Sequence, residues 1–272
     1  MVFLISFLAG TVGSILGLGG GIIIIPALTL LLGLDIRYAI GASIISVIAT
    51  SSGAAVACLK ERVTNIRIGI LLNTATTTGA ICGAYLAGIC PKQWLYIIFS
   101  LVMGYSSWST FKRRHQELPG RVDPHPLALR LKLNGHYYDQ VLKREVPYSV
   151  SGVYSGLLFM YVAGLISGIL GIGSGAFKVL AMDMCMRLPM KVSTATSNFM
   201  IGVTAAASAG IYFSRGDIHP LVAAPVALGV LAGAVLGTKL MVHLPRTTIR
   251  KFFIPVLICI CVEMFLKGVG IR

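Results

Sequence analysis

Residues 16–21 read Leu16-Gly17-Leu18-Gly19-Gly20-Gly21, and residues 170–175 read Leu170-Gly171-Ile172-Gly173-Ser174-Gly175. Apolar sequence flanks both, over 1–16 and 20–32 around the first and 149–172 and 175–186 around the second. Glycine is a poor helix former, so each cluster is expected to break a helix. Irregular backbone among apolar segments is tolerated only where it is buried in protein or lines a polar cavity.

The two clusters are copies. A shift of 154 residues aligns Gly10 with Gly164, Leu16-Gly17 with Leu170-Gly171, Gly19 with Gly173 and Gly21 with Gly175. Without a gap it then matches Ser43 with Ser197, Gly79-Ala80 with Gly233-Ala234, Gly83 with Gly237 and Pro91 with Pro245. The chain therefore reads as an internal duplication, 1–111 and 149–272, joined by a polar loop at 112–148 that serves as a linker or small cap.

Composition names the solvent. Of 272 residues 56% are apolar and 12% charged, with a mean hydropathy of +0.85, against roughly 25% charged in soluble domains. Further apolar stretches over 38–59, 66–89, 93–111, 192–214, 218–241 and 248–267 are near the length of about 20 residues that crosses a hydrocarbon core. Trp94 and Trp108, about 21 Å apart on one helix, suit two interfacial anchors. The fold class is an all-α integral membrane protein.

The net charge of +14 would suggest nucleic acid in a soluble chain, but eight basic and four acidic residues fall within 112–146 and most other basic residues end apolar stretches. That is topology information, and the partner it implies is membrane lipid, not nucleic acid. Six cysteines without metal spacing, at 58, 82, 90, 185, 259 and 261, read as small packing residues, and the five histidines as solvated. Met1-Val2-Phe3-Leu4 carries no basic segment of a cleaved signal. No metal or cofactor is expected.

Charge also orients the halves. With 112–148 in the cytoplasm, and each broken segment a re-entrant pair returning to its own side, each half crosses three times and the halves are inverted. Arg187, Lys191, Lys239, Arg246, Arg250 and Lys251 then fall inside, as the positive-inside rule favours. The expected architecture is two inverted-topology repeats, each a Gly-broken re-entrant helix pair plus three transmembrane helices.

Broken helices leave backbone N–H groups unpaired and aim a partial positive charge at the gap. Gly19, Gly20 and Gly21 with Gly173, Ser174 and Gly175 are therefore candidate amide donors to an anion near the midplane. Ser43, Ser197 and Asn198 follow the breaks and are candidate side-chain donors, with Asn73, Thr76 and Thr77 ranked below them. Lys178 lies about one turn into the second short helix, where it can face an anion or pair with Asp183; Glu263 is the other acid in apolar sequence. The spacings Gly79-x-x-x-Gly83 and Gly229-x-x-x-Gly233-x-x-x-Gly237 read as helix packing.

Rival chemistry finds little support. Gly171, Gly173 and Ala176 fit G-x-G-x-x-A only formally, no P-loop is present, and a membrane enzyme lacks a nucleophile with a histidine base.

The duplicated glycine segments, Pro26-Ala27-Leu28 and Lys178-Val179-Leu180 behind them, Ala39-Ile40-Gly41-Ala42-Ser43 and Ser193-Thr194-Ala195-Thr196-Ser197 resemble the TauE/SafE sulfite-exporter family over nearly the whole chain except 112–148. The resemblance implies a secondary transporter of small sulfur-containing anions, such as sulfite, sulfonates, sulfoacetate or thiosulfate, in a prokaryotic cytoplasmic membrane. The chain departs from the family pattern in its polar insert and in Leu180, where the first copy has Pro26. A passive anion channel and a membrane-bound scaffold or binding subunit are the alternatives, and glycine-rich helix faces make a homodimer possible.

Overall fold

A computed structural model describes residues 2–16, 20–60, 64–112, 126–139, 144–241 and 246–270. The first half runs α1 (Val2–Leu16), α2 (Gly21–Pro26), α3 (Ile36–Lys60), α4 (Ile66–Ile89) and α5 (Lys92–Lys112). The second runs α7 (Val153–Leu170), α8 (Gly175–Met184), α9 (Met190–Ser214), α10 (Pro220–Met241) and α11 (Arg246–Val269). Between them lie α6 (Pro126–Arg130) and an antiparallel hairpin of β1 (Gly135–Asp139) and β2 (Arg144–Tyr148).

Local chemistry sets several boundaries. Asn65 caps α4, its Oδ1 accepting the Ile68 N–H at 3.1 Å. Pro26 has no N–H to donate, and the chain widens directly after it into a π-helical turn over Ala27–Leu31. Gly171, with φ of +62°, ends α7 in the left-handed region that only glycine adopts at little cost.

Glycine also sets the main seams. A methyl group added at Gly79 would lie 2.2 Å from the Tyr161 carbonyl oxygen, at Gly83 2.1 Å from that of Leu165, and at Gly168 2.1 Å from that of Ala80. These backbones touch, in ascending register, so α4 and α7 run parallel. The α1–α10 seam repeats the device, with Gly229 against the Phe3 carbonyl at 2.6 Å and Gly233 against that of Phe7 at 2.1 Å. Two of the spacings expected to pack helices do so. Close backbone approach is how helices associate where lipid removes the hydrophobic drive between them.

The other principal pairings are α3 with α9, α5 with α11, α3 with α10 and α4 with α9. Exchanging each helix of one half for its counterpart in the other reproduces this set. In the second half the broken segment returns to its start: the Ser151 N–H donates to the Met186 carbonyl at 3.2 Å, and Gly152 abuts the Cys185 carbonyl.

The outer surface is apolar, with Ile89 and Leu221 each 82% exposed. Such a surface is unsuited to water and suited to acyl chains. Among the described residues, Ile66–Ile89, Val153–Leu170 and Pro220–Gly237 are long and apolar enough to cross a membrane. Trp94 and Trp108 are both exposed on α5. The chain is a predominantly α-helical membrane protein, and the hairpin of the polar insert departs from the all-α expectation.

The described part of the polar insert is docked on one end of the bundle. Ala128 and Leu133 are buried in a cluster with Ile68, Val150, Val153 and Met186. Asn65 Nδ2 donates to the Leu133 carbonyl and to Tyr148 Oη, both at 2.9 Å, while its backbone N–H donates to Thr196 Oγ1 at 3.2 Å. One residue thus ties α4, α9 and the hairpin together.

Candidate anion-binding site

The two breaks meet against α3. A methyl group at Gly21 would lie 2.5 Å from Ser43 Oγ and 3.4 Å from Ile172 Cα, so the start of α2 and the α7–α8 turn face one another. Gly173, with φ of +74°, packs on Val47 of α3 and Ile201 of α9, and Gly171 packs on Ile40 and Ile44. The wall between the breaks is mostly aliphatic.

The breaks supply amides as helix starts do. The first bond of α8 is Lys178 N–H to the Ser174 carbonyl at 3.0 Å, so the amides of Gly175, Ala176 and Phe177 precede the intrahelical ladder. Ser174 adopts φ of +46° before α8, and its buried hydroxyl has no partner among the described residues.

The paired serines address the breaks themselves. Ser43 Oγ donates to the Gly171 carbonyl at 2.9 Å and Ser197 Oγ to the Gly175 carbonyl at 3.2 Å. Both side chains are buried. A hydroxyl has a single proton to give, so in this conformation each is committed to the backbone of a break.

Behind α8 lies a buried polar cluster built from three helices. Lys178 is 0% exposed, and its Nζ donates to Thr204 Oγ1 at 2.8 Å and to the Met200 carbonyl at 3.4 Å. Thr204 Oγ1 also lies 2.8 Å from the Met200 carbonyl, 3.4 Å from Asn73 Oδ1 and 3.5 Å from Thr76 Oγ1. Thr76 Oγ1 is 3.3 Å from Asn73 Oδ1. Among the described residues Lys178 makes no ion pair.

Of the residues singled out by sequence, Gly20, Gly21, Gly173, Ser174 and Gly175 are buried at the breaks, with Ser43 and Ser197 bonded to them. Gly19 lies outside the described residues. Asn198 is half-buried on α9 with an interaction of its own, as have Asp183 and Glu263. Lys178 turns to Thr204, which sequence reasoning missed. The signal was present: Thr204 coincides with Thr50 under the same 154-residue shift that paired Ser43 with Ser197. Asn73 and Thr76, ranked below the serines, prove to stand beside Thr204.

Residues 2–264 match the family described as Sulfite exporter TauE/SafE. The chain belongs to the TauE/SafE family. Among relatives of this TauE/SafE protein, the probable membrane transporter protein YunE of Bacillus subtilis (strain 168) is 27% identical over 286 aligned residues, covering 99% of this chain and 98% of its own length. The probable membrane transporter protein YdhB of the same organism is 23% identical, covering 92% and 94%. A probable membrane transporter protein of Sinorhizobium sp, ORF9, is 24% identical, covering 97% and 90%. No solved structure matches. This TauE/SafE protein is a membrane transporter and not an enzyme.

Proposed function

We propose that the chain is a secondary transporter that moves small sulfur-containing anions, such as sulfite, sulfonates including sulfoacetate, or thiosulfate, across the prokaryotic cytoplasmic membrane by alternating access. Residues 1–111 and 149–272 act as inverted repeats on either side of the cytoplasmic segment 112–148. The anion sits between the breaks, bound by the amides of Gly20, Gly21, Gly173, Ser174 and Gly175 and by Ser43, Ser197 and Asn198; Gly19, outside the described residues, belongs to the same proposed set. Lys178 supplies positive charge.

The observation that carries this reading is the Ser43–Gly171 hydrogen bond of 2.9 Å, which ties a helix of one half to the break of the other. Inverted-repeat transporters place substrate at such a junction of broken helices and work by rocking one unit against another. The glycine seams of α1 with α10 and α4 with α7 touch through backbone and move as blocks. The breaks meet α3 through a hydroxyl and aliphatic side chains, contacts that can separate and re-form. Within that motion the Ser43 and Ser197 hydroxyls exchange a carbonyl partner for the anion.

Purified protein in proteoliposomes tests this with radiolabelled sulfite, sulfoacetate and thiosulfate. Saturable uptake with counterflow is expected, and Gly21→Leu abolishes it while the protein stays monodisperse, because the larger side chain displaces Ser43. Flux that neither saturates nor shows counterflow overturns alternating access in favour of a channel. Absence of flux for every anion overturns the substrate class.

A further inference from the structure

Lys178 is a lysine with no visible counter-charge in a membrane protein's interior. A carboxylate partner would give it a structural role, but none contacts it among the described residues. The elements packed around it are neutral where they face it. From α4 come Asn73 and Thr76; the one charged residue of that helix, Arg67, sits at its first turn and donates to the Lys132 carbonyl at 3.3 Å. From α9 come Thr204 and the Met200 carbonyl, with Lys191 thirteen residues before Thr204. The sequence of α7 contains no charged residue. On α8 itself, Asp183 stands five residues on and has an interaction of its own.

Nor does the fold need a lysine there. The corresponding position in the first half is Ile24, 1% exposed, and on α10 Val230 and Ala227 stand at the positions that Thr76 and Asn73 occupy on α4. Aliphatic packing satisfies the same helix junction.

An ammonium held by two neutral oxygens out of water is unstable by several kcal/mol. It is relieved by losing its proton or by gaining an anion. Both remedies are available in a transport cycle. We infer that Lys178, held by Thr204 beside Asn73 and Thr76, takes up a proton as the anion binds at the breaks next to α8, so that anion and proton cross together. This rests on the transporter reading above and adds its coupling ion. The step balances: a neutral amine, a proton from the water-filled side and the anion give an ammonium–anion pair. No electron moves, and the proton leaves with the anion on the far side. The Ser174 hydroxyl, four residues before Lys178, is buried and has no partner among the described residues.

Thiosulfate and methanesulfonate stay ionised across neutral pH, so a proton that moves with them is carried by the protein. Proteoliposomes clamped at zero potential with potassium and valinomycin, loaded with a pH-sensitive dye, report both fluxes. Wild-type protein is expected to acidify the lumen as either anion enters. Lys178→Met and Lys178→Arg are expected to lose the pH signal, with anion flux down about tenfold or more. Anion flux without a pH change in the wild type overturns this inference and leaves the transporter reading standing; so does an unchanged proton-to-anion ratio in the variants. No anion flux in the wild type overturns both. Should the variants fail to fold, calorimetry of thiosulfate binding to wild-type protein in two buffers of different ionisation heat decides. Heat that varies with the buffer shows proton uptake, and heat independent of it overturns the inference.

Discussion

The junction of α4, α8 and α9 buries Lys178, Thr204, Asn73 and Thr76 together, whereas the same helix positions 154 residues away, on α10, α2 and α3, hold Ala227 and Val230, Ile24 and Thr50. The backbone treats both junctions alike. Thr50 Oγ1 donates to the Ser46 carbonyl at 3.0 Å as Thr204 Oγ1 does to that of Met200 at 2.8 Å, four residues back in each case. Only the second threonine also receives a lysine. The two junctions share their helix positions and differ in polarity, and the proposed chemistry draws on the polar one.

If scaffold and chemistry are separable, breaking the seams must hurt both halves equally. Gly83→Val and Gly233→Val each drive a methyl group to 2.1 Å from a backbone carbonyl that cannot move aside without shifting its helix. Each is expected to cost about 3 kcal/mol or more, read as lost monodisperse yield and a lowered unfolding midpoint in detergent. A large effect of one and none of the other would show that the seams are not equivalent.

Placing the charge on the wrong side sharpens the contrast. Ile24 is buried beside Val230, both within about 3.5 Å of a methyl group built on Gly20, so Ile24→Lys puts an ammonium among aliphatic groups. The expected cost is about 3 kcal/mol, smaller if the side chain snorkels. The conservative Ile24→Met is expected to be nearly silent in the same thermal assay.

A subtler variant acts on the hydroxyl alone. Thr204→Val keeps shape and removes the acceptor that lies 2.8 Å from Lys178 Nζ, whereas Thr50→Val removes a hydroxyl that bonds only within α3 among the described residues. The first is expected to lower anion flux about tenfold, corresponding to roughly 1.4 kcal/mol, and the second by less than about twofold. Equal effects would make the lysine cluster structural.

Much of this architecture was legible without coordinates. The two glycine breaks, the gapless repeat and the small-residue spacings at Gly79, Gly83, Gly229 and Gly233 gave the element boundaries and two helix seams, because glycine marks both a broken helix and a close backbone approach. The fold of the 112–148 insert was not, since its docking depends on Ala128 and Leu133 reaching a cluster made by distant helices. Lys178 was visible as an odd charge, but its partner was not. Neighbours in space on α4 and α9 leave no periodic trace, and a hydroxyl on a buried face looks the same in sequence as one that bonds its own helix.

The halves differ again, more mildly, at the loops that follow the broken segments. The α8–α9 loop is held by backbone, through Ser151 N–H to the Met186 carbonyl at 3.2 Å, beside the docked hairpin. The α2–α3 loop shares one backbone bond with it, Leu34 N–H to the Leu28 carbonyl at 3.1 Å like Leu188 to Met182, and adds charge: Asp35 pairs with Lys92, accepts the Arg37 N–H at 3.0 Å, and Arg37 reaches the Cys90 carbonyl at 3.2 Å. Partial burial pushes the Asp35 carboxyl up, but the Lys92 hydrogen bond, the Arg37 amide and the two positive charges outweigh it and hold the group below the ordinary carboxylate range. A depressed folded-state pKa stabilises above the unfolded value and stops doing so as pH falls through the folded one. The contribution is therefore complete at neutral pH and fades below about pH 4. Lys92 is 55% exposed, so screening keeps the effect to a few tenths of a kcal/mol. Asp35→Asn is expected to lower the unfolding midpoint slightly at low salt and not at high salt. Ser151→Pro, which removes the backbone donor of the other loop, is expected to lower it equally at both, and salt-dependent loss there would place charge, not backbone, at the second clasp.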